Sequence, residues 1–515
     1  MSDIRYTFEK SRSGEAVPAF CLPEGKMSLH SMIDPGREAQ RLISNLKEAD
    51  FAVFLGLGGG FAPEAALELA NTRVVVIDFD KDSIEQLLSG RDYSKLLKNN
   101  RFSLLVDPLP QEIENYLLQN FKPALFGSIK TIPLRTRTER DREKFEEAAS
   151  VIQKTIEIIS GDYSVQAHFG KRWFSNIIRN IKNMDTLHKL NVKQIDKAEV
   201  IAAGPSLDSQ TEILAKLKSE NTFIISSDTA LGALLHKGIK PDIVVSIDCQ
   251  HISYYHFLGC NTQNIPLVLD IASPPLLANF SKTPVFFSGG HPLAKYISHN
   301  WQPLAHLDTS GGNVTYACLS LAETLGAKHI TLFGADFSYI GCQSYARGTY
   351  INPYFAKKQS RISPIEAQMS SLLFRSPFLA HGERQNYRET SQLRFYREKL
   401  EEKVSAMKAR VECAAGFGAP VRIIRSEETG IRSEESGIRN LNSENLSGAE
   451  FLKRYRDDIL SLHDSGEFDD RQRQIFTTLL PYAAAVRKRN PELKQNLLIE
   501  TVKQHCAAEI EKVIC

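Results

Sequence analysis

Hydrophobic and polar positions change their period along the chain, and the changes mark its elements. Phe51–Leu57 (FAVFLGL) and Arg73–Ile77 (RVVVI) are short, nearly all-apolar runs, which predicts strands buried on both faces. Between them lie Gly58-Gly59-Gly60, Pro63-Glu64 and an Ala/Leu-rich run to Ala70, and Asp78-Phe79-Asp80 closes the second run. Strand, Gly loop, helix, strand, acid is the order of a nucleotide-binding α/β unit, with Gly56, Gly58 and Gly60 in the turn and Asp78 as the acid. Two uses of the loop stay open: a phosphate held on the helix N-terminus, or a tight turn and nothing more. After residue 137 the period becomes helical. Glu139–Ser160 predicts a charged amphipathic helix, and His168–Leu187 a second one with Trp173 and Phe174 on one face.

Short apolar runs return after residue 196 and alternate with helical stretches. Ala198–Ala202, Thr222–Ser226, Ile243–Ile247, Pro266–Leu269, Val285–Phe287 and His329–Phe333 predict strands, and the alternation predicts a parallel sheet covered on both faces. The imperfect tandem RSEETGI and RSEESGI between Arg425 and Asn440 predicts a loop or a sheet edge. The remainder mixes Leu with Lys, Arg, Glu and Gln and predicts two or three helices. The expected fold class is α/β, with two Rossmann-like parallel-sheet domains and a helical C-terminal domain. Its boundaries fall at 1–137 (Rossmann-like), 138–196 (helical connector), 197–430 (central α/β domain) and 431–515 (helical).

Composition narrows the partners more than the fold. The 515 residues are 42% hydrophobic and 24% charged, as in globular proteins. Lys+Arg 63 against Asp+Glu 61 leaves a net charge of +2, which gives no electrostatic footprint for general nucleic-acid binding. No apolar run approaches the roughly 18–20 residues of a membrane span, and MSDIRYTFEK has no basic-then-apolar leader. The 8 cysteines contain no CxxC pair, a pattern of reduced thiols rather than of disulfides or structural zinc. A cytoplasmic protein without metal is expected.

Polar residues recur where the predicted strands end, which is where open α/β sheets bind ligands. Gly204-Pro205-Ser206 follows the first strand of the central domain. Asp228 and Asp248 follow the next two. Thr309-Ser310-Gly311-Gly312 opens a helix, and Gly334-Ala335-Asp336-Phe337 leads to Tyr339, Tyr345 and Arg347. Small residues admit close backbone approach and helix N-termini attract anions, so this set predicts a cleft for a phosphorylated ligand.

The stretches IAAGPSLDSQ, FIISSDTALGALLHKGIKPDIVVSID and TSGGNVTYACLSLAETLGAKHITLFGADFSY resemble, in content and order, the motility-associated-factor (Maf) glycosyltransferases of flagellated bacteria. The resemblance covers about residues 50–430. The central domain is also similar to bacterial sialyltransferases, through Gly204–Leu207, Thr309–Gly311 and Gly334–Phe337, and to hydroxymethylpterin pyrophosphokinases. The sialyltransferases carry Asn before the GPSL glycine, where this chain has Ala203, and tend to have Asn where it has Asp228 and Asp248. The resemblance implies transfer of a nonulosonic acid, pseudaminic or legionaminic, from its CMP-activated form to Ser/Thr of flagellin. It implies no further cofactor and no metal. It places Gly204, Ser206, Thr309, Ser310 and Gly311 at the CMP group and Asp228 and Asp248 at ribose or base. Asp336 and Arg347 complete the donor site, and Tyr339 and Tyr345 hold the departing phosphate.

Glycosyl transfer from such a donor passes through an oxocarbenium-like state, and the phosphate leaves without a strong general acid. One general base must take the acceptor proton, and His suits neutral pH. The sialyltransferase segment after G-x-D-F points to His381, with His291 as the other candidate. Two other functions stay open at this level. One is pyrophosphate transfer from ATP to a pterin, through Asp228, Asp248 or Asp336 with Mg²⁺. The other is a non-catalytic flagellin-binding role.

Overall fold

A computed structural model describes residues 6–22, 25–46, 50–69, 71–184, 190, 192, 194–219, 222–341, 343–381, 387–423, 446–463 and 468–515. The Arg425–Asn440 tandem lies outside them. The chain forms two compact units. One comprises Met1–Lys171, Leu462–Asp469 and Leu480–His505, and the other Arg172–Ser461, Asp470–Leu479 and Cys506–Cys515.

The first unit opens with an antiparallel sheet of β1 (Tyr6–Lys10), β2 (Ala16–Leu22) and β3 (Gly25–Ser28), which the sequence pattern did not announce. Its parallel sheet is built from β4 (Phe51–Leu55), β5 (Arg73–Asp78), β6 (Phe102–Val106) and β7 (Ile129–Pro133), in the order β6-β5-β4-β7. The all-apolar runs are accounted for by burial on both faces. Ala52, Phe54, Val74 and Val76 pack to one side with Ala62 and Ala66. Phe51, Val53, Leu55, Val75 and Ile77 pack to the other with Ile113, Leu117 and Phe145.

The Gly loop after β4 is closed by the protein's own groups. Gly59 N–H donates to His30 Nε2 at 2.8 Å, Tyr93 O–H donates to Gly58 O at 2.9 Å, and Arg91 donates to Gly59 O. Asp78 turns inward as well, accepting from Leu57 N–H at 2.8 Å and from Arg137 Nε at 3.0 Å. These partners give the loop a structural use.

The two connector helices of the sequence reading are one, Arg142–Asn183. Gly161 stands where a break was read. A glycine inside a helix costs only about 1 kcal/mol relative to Ala, and no proline interrupts the stretch, so the apolar stripe carries the helix through.

The second unit is built on one eight-stranded sheet. Its strands are β8 (Lys197–Ile201), β9 (Phe223–Ser227), β10 (Ile243–Ser246), β11 (Leu267–Asp270), β12 (Pro284–Ser288), β13 (Ala305–His306), β14 (His329–Phe333) and, further along the chain, β18 (Arg410–Cys413). The order is β13-β12-β11-β10-β9-β8-β14-β18, and every pairing is parallel. Ala198, Val200 and Val245 pack with Ala317, Leu319 and Leu321 of helix Val314–Thr324 and with Leu400 and Val404 of helix Ser391–Ala406. Ile201 and Ile224 pack against Leu207, Leu214 and Leu234 on the other face.

A small antiparallel sheet of β15 (Tyr339–Ile340), β16 (Phe378–His381) and β17 (Tyr387–Thr390) is inserted after β14. The chain ends in three helices, Gly448–Leu460, Asp470–Arg489 and Gln495–Ile514. Among the described residues no helix is long and apolar enough to cross a membrane.

Candidate functional site

Because the eight strands run parallel, the residues that follow them share one edge of the sheet. The first strand, β8, lies inside it. The chain proceeds from β8 to β13 in one direction, and β14 and β18 lie on the other side. The switch point between β8 and β14 is the place where a doubly wound sheet opens a crevice.

The two motifs flanking that point are bonded to each other. Ser206 N–H donates to Asp336 Oδ2 at 2.8 Å, and Gly204 N–H donates to Gly334 O at 2.9 Å. Only glycine fits at 204, since a Cβ there would lie 2.4 Å from both Asp336 Oδ2 and Gly334 O. The segment after β18 then covers the turn. Phe417 N–H donates to Ser206 Oγ at 2.8 Å, Ala419 N–H to Asp336 O at 2.9 Å, and Gln210 Nε2 to Ala415 O at 2.8 Å. Beside this latch is a cavity of about 260 Å³ lined by Gln210, Asp336, Gly416, Gly418 and Pro420. Burial raises the Asp336 carboxyl above its ordinary pKa, against the hydrogen bonds from Ser206.

Asp228 follows β9 as the first residue of helix Asp228–His236 and is almost fully buried. Its Oδ1 accepts from Thr229 N–H at 2.6 Å and from Thr229 Oγ1 at 3.0 Å, and its Oδ2 accepts from Ser246 Oγ at 2.7 Å. His256 Nδ1 lies 3.2 Å from Oδ2. Burial pushes this carboxyl up, but His256, Ser246 and Thr229 together hold it below its ordinary value. Asp248, after β10, accepts from Gln250 N–H at 2.9 Å. Burial raises it, and the nearby Asp228 adds to the shift.

A tyrosine cluster adjoins these carboxylates. The His256 ring is 4.4 Å from Tyr350, whose ring is 6.1 Å from Tyr345. Ala346 N–H donates to Ala203 O at 2.9 Å and so ties the Tyr345 segment to the Gly204 turn. Burial, followed by Tyr339, Asp228 and Tyr396, pushes the Tyr345 phenol up to about 12. At neutral pH it is therefore a neutral O–H donor. Burial raises Tyr339 too.

The Thr309–Gly312 loop starts from β13, five places from β8, or roughly 24 Å at the usual strand spacing. Helix Val314–Thr324, which it opens, packs back across β10, β9 and β8. Thr309 Oγ1 donates to Gly289 O at 3.3 Å, and Ser310 Oγ lies 3.2 Å from the Tyr316 hydroxyl. A Cβ on Gly311 would lie 2.1 Å from the Tyr316 ring, and one on Gly312 would lie 3.3 Å from Tyr396.

A second Asp–His pair stands at the ends of β11 and β12. His291 Nε2 is 3.8 Å from Asp270 Oδ1, and its ring is 4.6 Å from Trp173.

Asp228, Asp248, Tyr339 and Tyr345 are thus brought together. Thr309, Ser310 and Gly311 share the edge, and Ser206 and Asp336 form the latch. Arg347 is turned away: its side chain is 79% exposed, 3.8 Å from Asp208. His381 ends β16, and its side chain lies outside the described residues. Sequence reasoning missed His256, Tyr350, Tyr396 and Asp270. His256 sits in a five-residue helix, Ser253–Phe257, too short to show a period. The Gly416-Phe417-Gly418 run after β18 was a readable signal for a close backbone approach.

Comparison with known proteins covers the central segment and the whole chain differently. Residues 171–341 match the MptE-like family, described as 6-hydroxymethylpterin diphosphokinase MptE-like. A 6-hydroxymethyl-7,8-dihydropterin pyrophosphokinase of Pyrococcus furiosus is 30% identical over 176 residues, covering 32% of this chain and 66% of that protein. Two uncharacterized proteins of Treponema pallidum are 46% identical over 93 residues and 34% identical over 126 residues, covering 18% and 23% of this chain. The matched stretches span 33% and 60% of those two relatives. A solved MAf glycosyltransferase from Magnetospirillum magneticum AMB-1 aligns over 100% of this chain and 91% of its own, with TM-score 0.53 and 14% identity. The chain has the Maf glycosyltransferase fold. That likeness extends over both units, where the pterin-kinase match is confined to part of the second.

Proposed function

We propose that the chain is a glycosyltransferase that moves a nonulosonic, sialic-acid-like sugar from a CMP-activated donor to Ser or Thr of flagellin. It would act in the cytoplasm, support flagellum assembly and motility, and need no metal or further cofactor. The observation that supports this reading is the whole-length likeness to the Magnetospirillum MAf glycosyltransferase. The pterin-kinase likeness leaves the first unit unaccounted for.

In this reading the donor lies along the carboxyl edge. The Gly204 turn with Ser206 and Asp336, and the Thr309–Gly311 loop, border the CMP group. Asp248 faces ribose or base, while Asp228, buried with its oxygens held by Thr229 and Ser246, stands behind it rather than against the donor as the resemblance implied. Arg347 joins only by leaving Asp208. The bond from the sugar anomeric carbon to the phosphate oxygen breaks through an oxocarbenium-like state. Negative charge grows on the phosphate, where preorganised O–H donors are worth most. Tyr345, neutral and half-buried, is the proposed donor, with Tyr339 beside it. The acceptor hydroxyl loses its proton to a general base, for which the sequence argues His381.

The test is incubation of the purified chain with flagellin and CMP-pseudaminic or CMP-legionaminic acid, read by intact mass. Flagellin should gain whole nonulosonic-acid increments and CMP should appear. Flagellin that binds the chain but keeps its mass would leave only a binding role. The match of residues 171–341 favours one second reading, pyrophosphate transfer to a pterin. Turnover of 6-hydroxymethylpterin with ATP and Mg²⁺, absent with CMP-sugars, would select it.

A further inference from the structure

We infer that His256, oriented by Asp228, is the general base that accepts the proton of the acceptor hydroxyl. This rests on the glycosyl-transfer reading and deepens it, because it assigns the base to an element outside the three motif stretches, in place of His381, the candidate argued from the sequence.

The geometry separates the two ring nitrogens. Nδ1 is buried and faces Asp228 Oδ2 at 3.2 Å, with the two side chains 8% and 3% exposed. It makes no well-angled hydrogen bond there, and catalytic contacts of this kind commonly tighten only in the reacting complex. Asp228 itself is fixed, with Thr229 on one oxygen and Ser246 on the other. A carboxylate held in this way selects the tautomer with the proton on Nδ1 and leaves Nε2 as the acceptor. Nε2 makes no hydrogen bond among the described residues.

The ring is held between Asp228 and Tyr350, and Tyr350 in turn meets Tyr345, the proposed phosphate donor. Base and leaving-group donor are therefore linked through one aromatic ring. His291, the other candidate from the sequence, is set more loosely, 3.8 Å from Asp270.

In the proposed step the acceptor oxygen bonds to the anomeric carbon as the carbon–phosphate-oxygen bond breaks. The bonding pair leaves with CMP. The hydroxyl proton passes to His256 Nε2, the imidazolium is stabilised by Asp228, and the proton is then released to water. The charged and titratable groups facing the ring are Asp228 and Asp248 from the strand ends and Tyr350 from the inserted segment.

The experiment uses the full chain, flagellin, and CMP-pseudaminic or CMP-legionaminic acid, whichever the wild type turns over. His256→Asn and His256→Ala should lower kcat by about 10²–10⁴-fold with little change in donor KM. The acidic limb of kcat/KM against pH should disappear, and added imidazole should restore part of the activity of His256→Ala. Asp228→Asn should lower kcat through the same limb. A rise in donor KM alone would instead make Asp228 a donor-binding group and overturn its role here. CMP binding by calorimetry and the melting temperature report whether each variant is folded. If His256→Ala does not fold, the limb in Asp228→Asn decides. A folded variant that keeps the wild-type limb overturns the inference and leaves the transferase reading standing. A wild-type chain that transfers no sugar overturns that reading, and this inference with it.

Discussion

Gly204, Ser206 and Tyr345 are all placed at the donor by the family resemblance, yet the structure uses them differently. Gly204→Ala would force a methyl group to 2.4 Å from Asp336 Oδ2 and from the Gly334 carbonyl. Overpacking of that kind costs about 1–3 kcal/mol. Ser206→Ala removes one acceptor for Phe417 N–H and should cost about 0.5–1.5 kcal/mol. Urea melts of the two variants should therefore rank Gly204→Ala as the less stable. Tyr345→Phe keeps the ring and loses only a donor. Flagellin glycan occupancy should fall with transfer slowed about 10²–10³-fold, and the melting temperature should hold.

Asp228 carries a pH signature of its own. Its folded pKa lies below the ordinary value, the hydrogen bonds and His256 outweighing burial. The unfolded state then binds the proton more readily, and the carboxylate's contribution is present in full above about pH 4. It is lost as pH falls through the depressed folded value. The stability gap between wild type and Asp228→Asn should be level through neutral pH and narrow only in acid, as denaturant titrations at a series of pH values would record.

Elements repeat the contrast between local and distant causes. Helix Gly448–Leu460 starts at a Ser447–Glu450 capping box, with Ser447 accepting Glu450 N–H and Glu450 accepting Ser447 N–H. That signature is four residues long and can be read without a structure. Ser447→Ala should lower stability by about 0.5–2 kcal/mol in thermal melts. The strands were readable for the same reason. FAVFLGL and RVVVI are apolar at nearly every position because both faces of β4 and β5 are covered. Helix Arg142–Asn183 was read as two because its middle is polar and carries Gly161. The short helix bearing His256 and the two three-stranded sheets, at the N-terminus and in the β14 insertion, gave weaker or no local signal, since elements of a few residues are too short to establish a period.

At the scale of the molecule, the tail is not a separate appendage. Helix Gln495–Ile514 contributes Leu498, Ile499 and Val502 to the first unit, and Cys506 and Ile510 to the second, all fully buried. A chain ending at Ser461 would strip packing from both units. Calorimetry of that truncation should show every unfolding transition displaced to lower temperature, rather than one lost and the other unchanged.

The α/β class, the positions of β4, β5, β8–β12 and β14, and the succession of polar residues at strand ends came from the sequence alone, because apolar period and turn chemistry act over a few neighbouring residues. Which of those polar residues remain for a ligand was decided by tertiary structure. Ser206 meets Phe417 across 211 positions of chain, and Asp336 across 130. Asp228 finds His256 only because β9 and β10 lie side by side. A hydrogen-bonding group satisfied by a distant partner leaves no trace in its own neighbourhood, and burial of that group fixes both its charge and its availability.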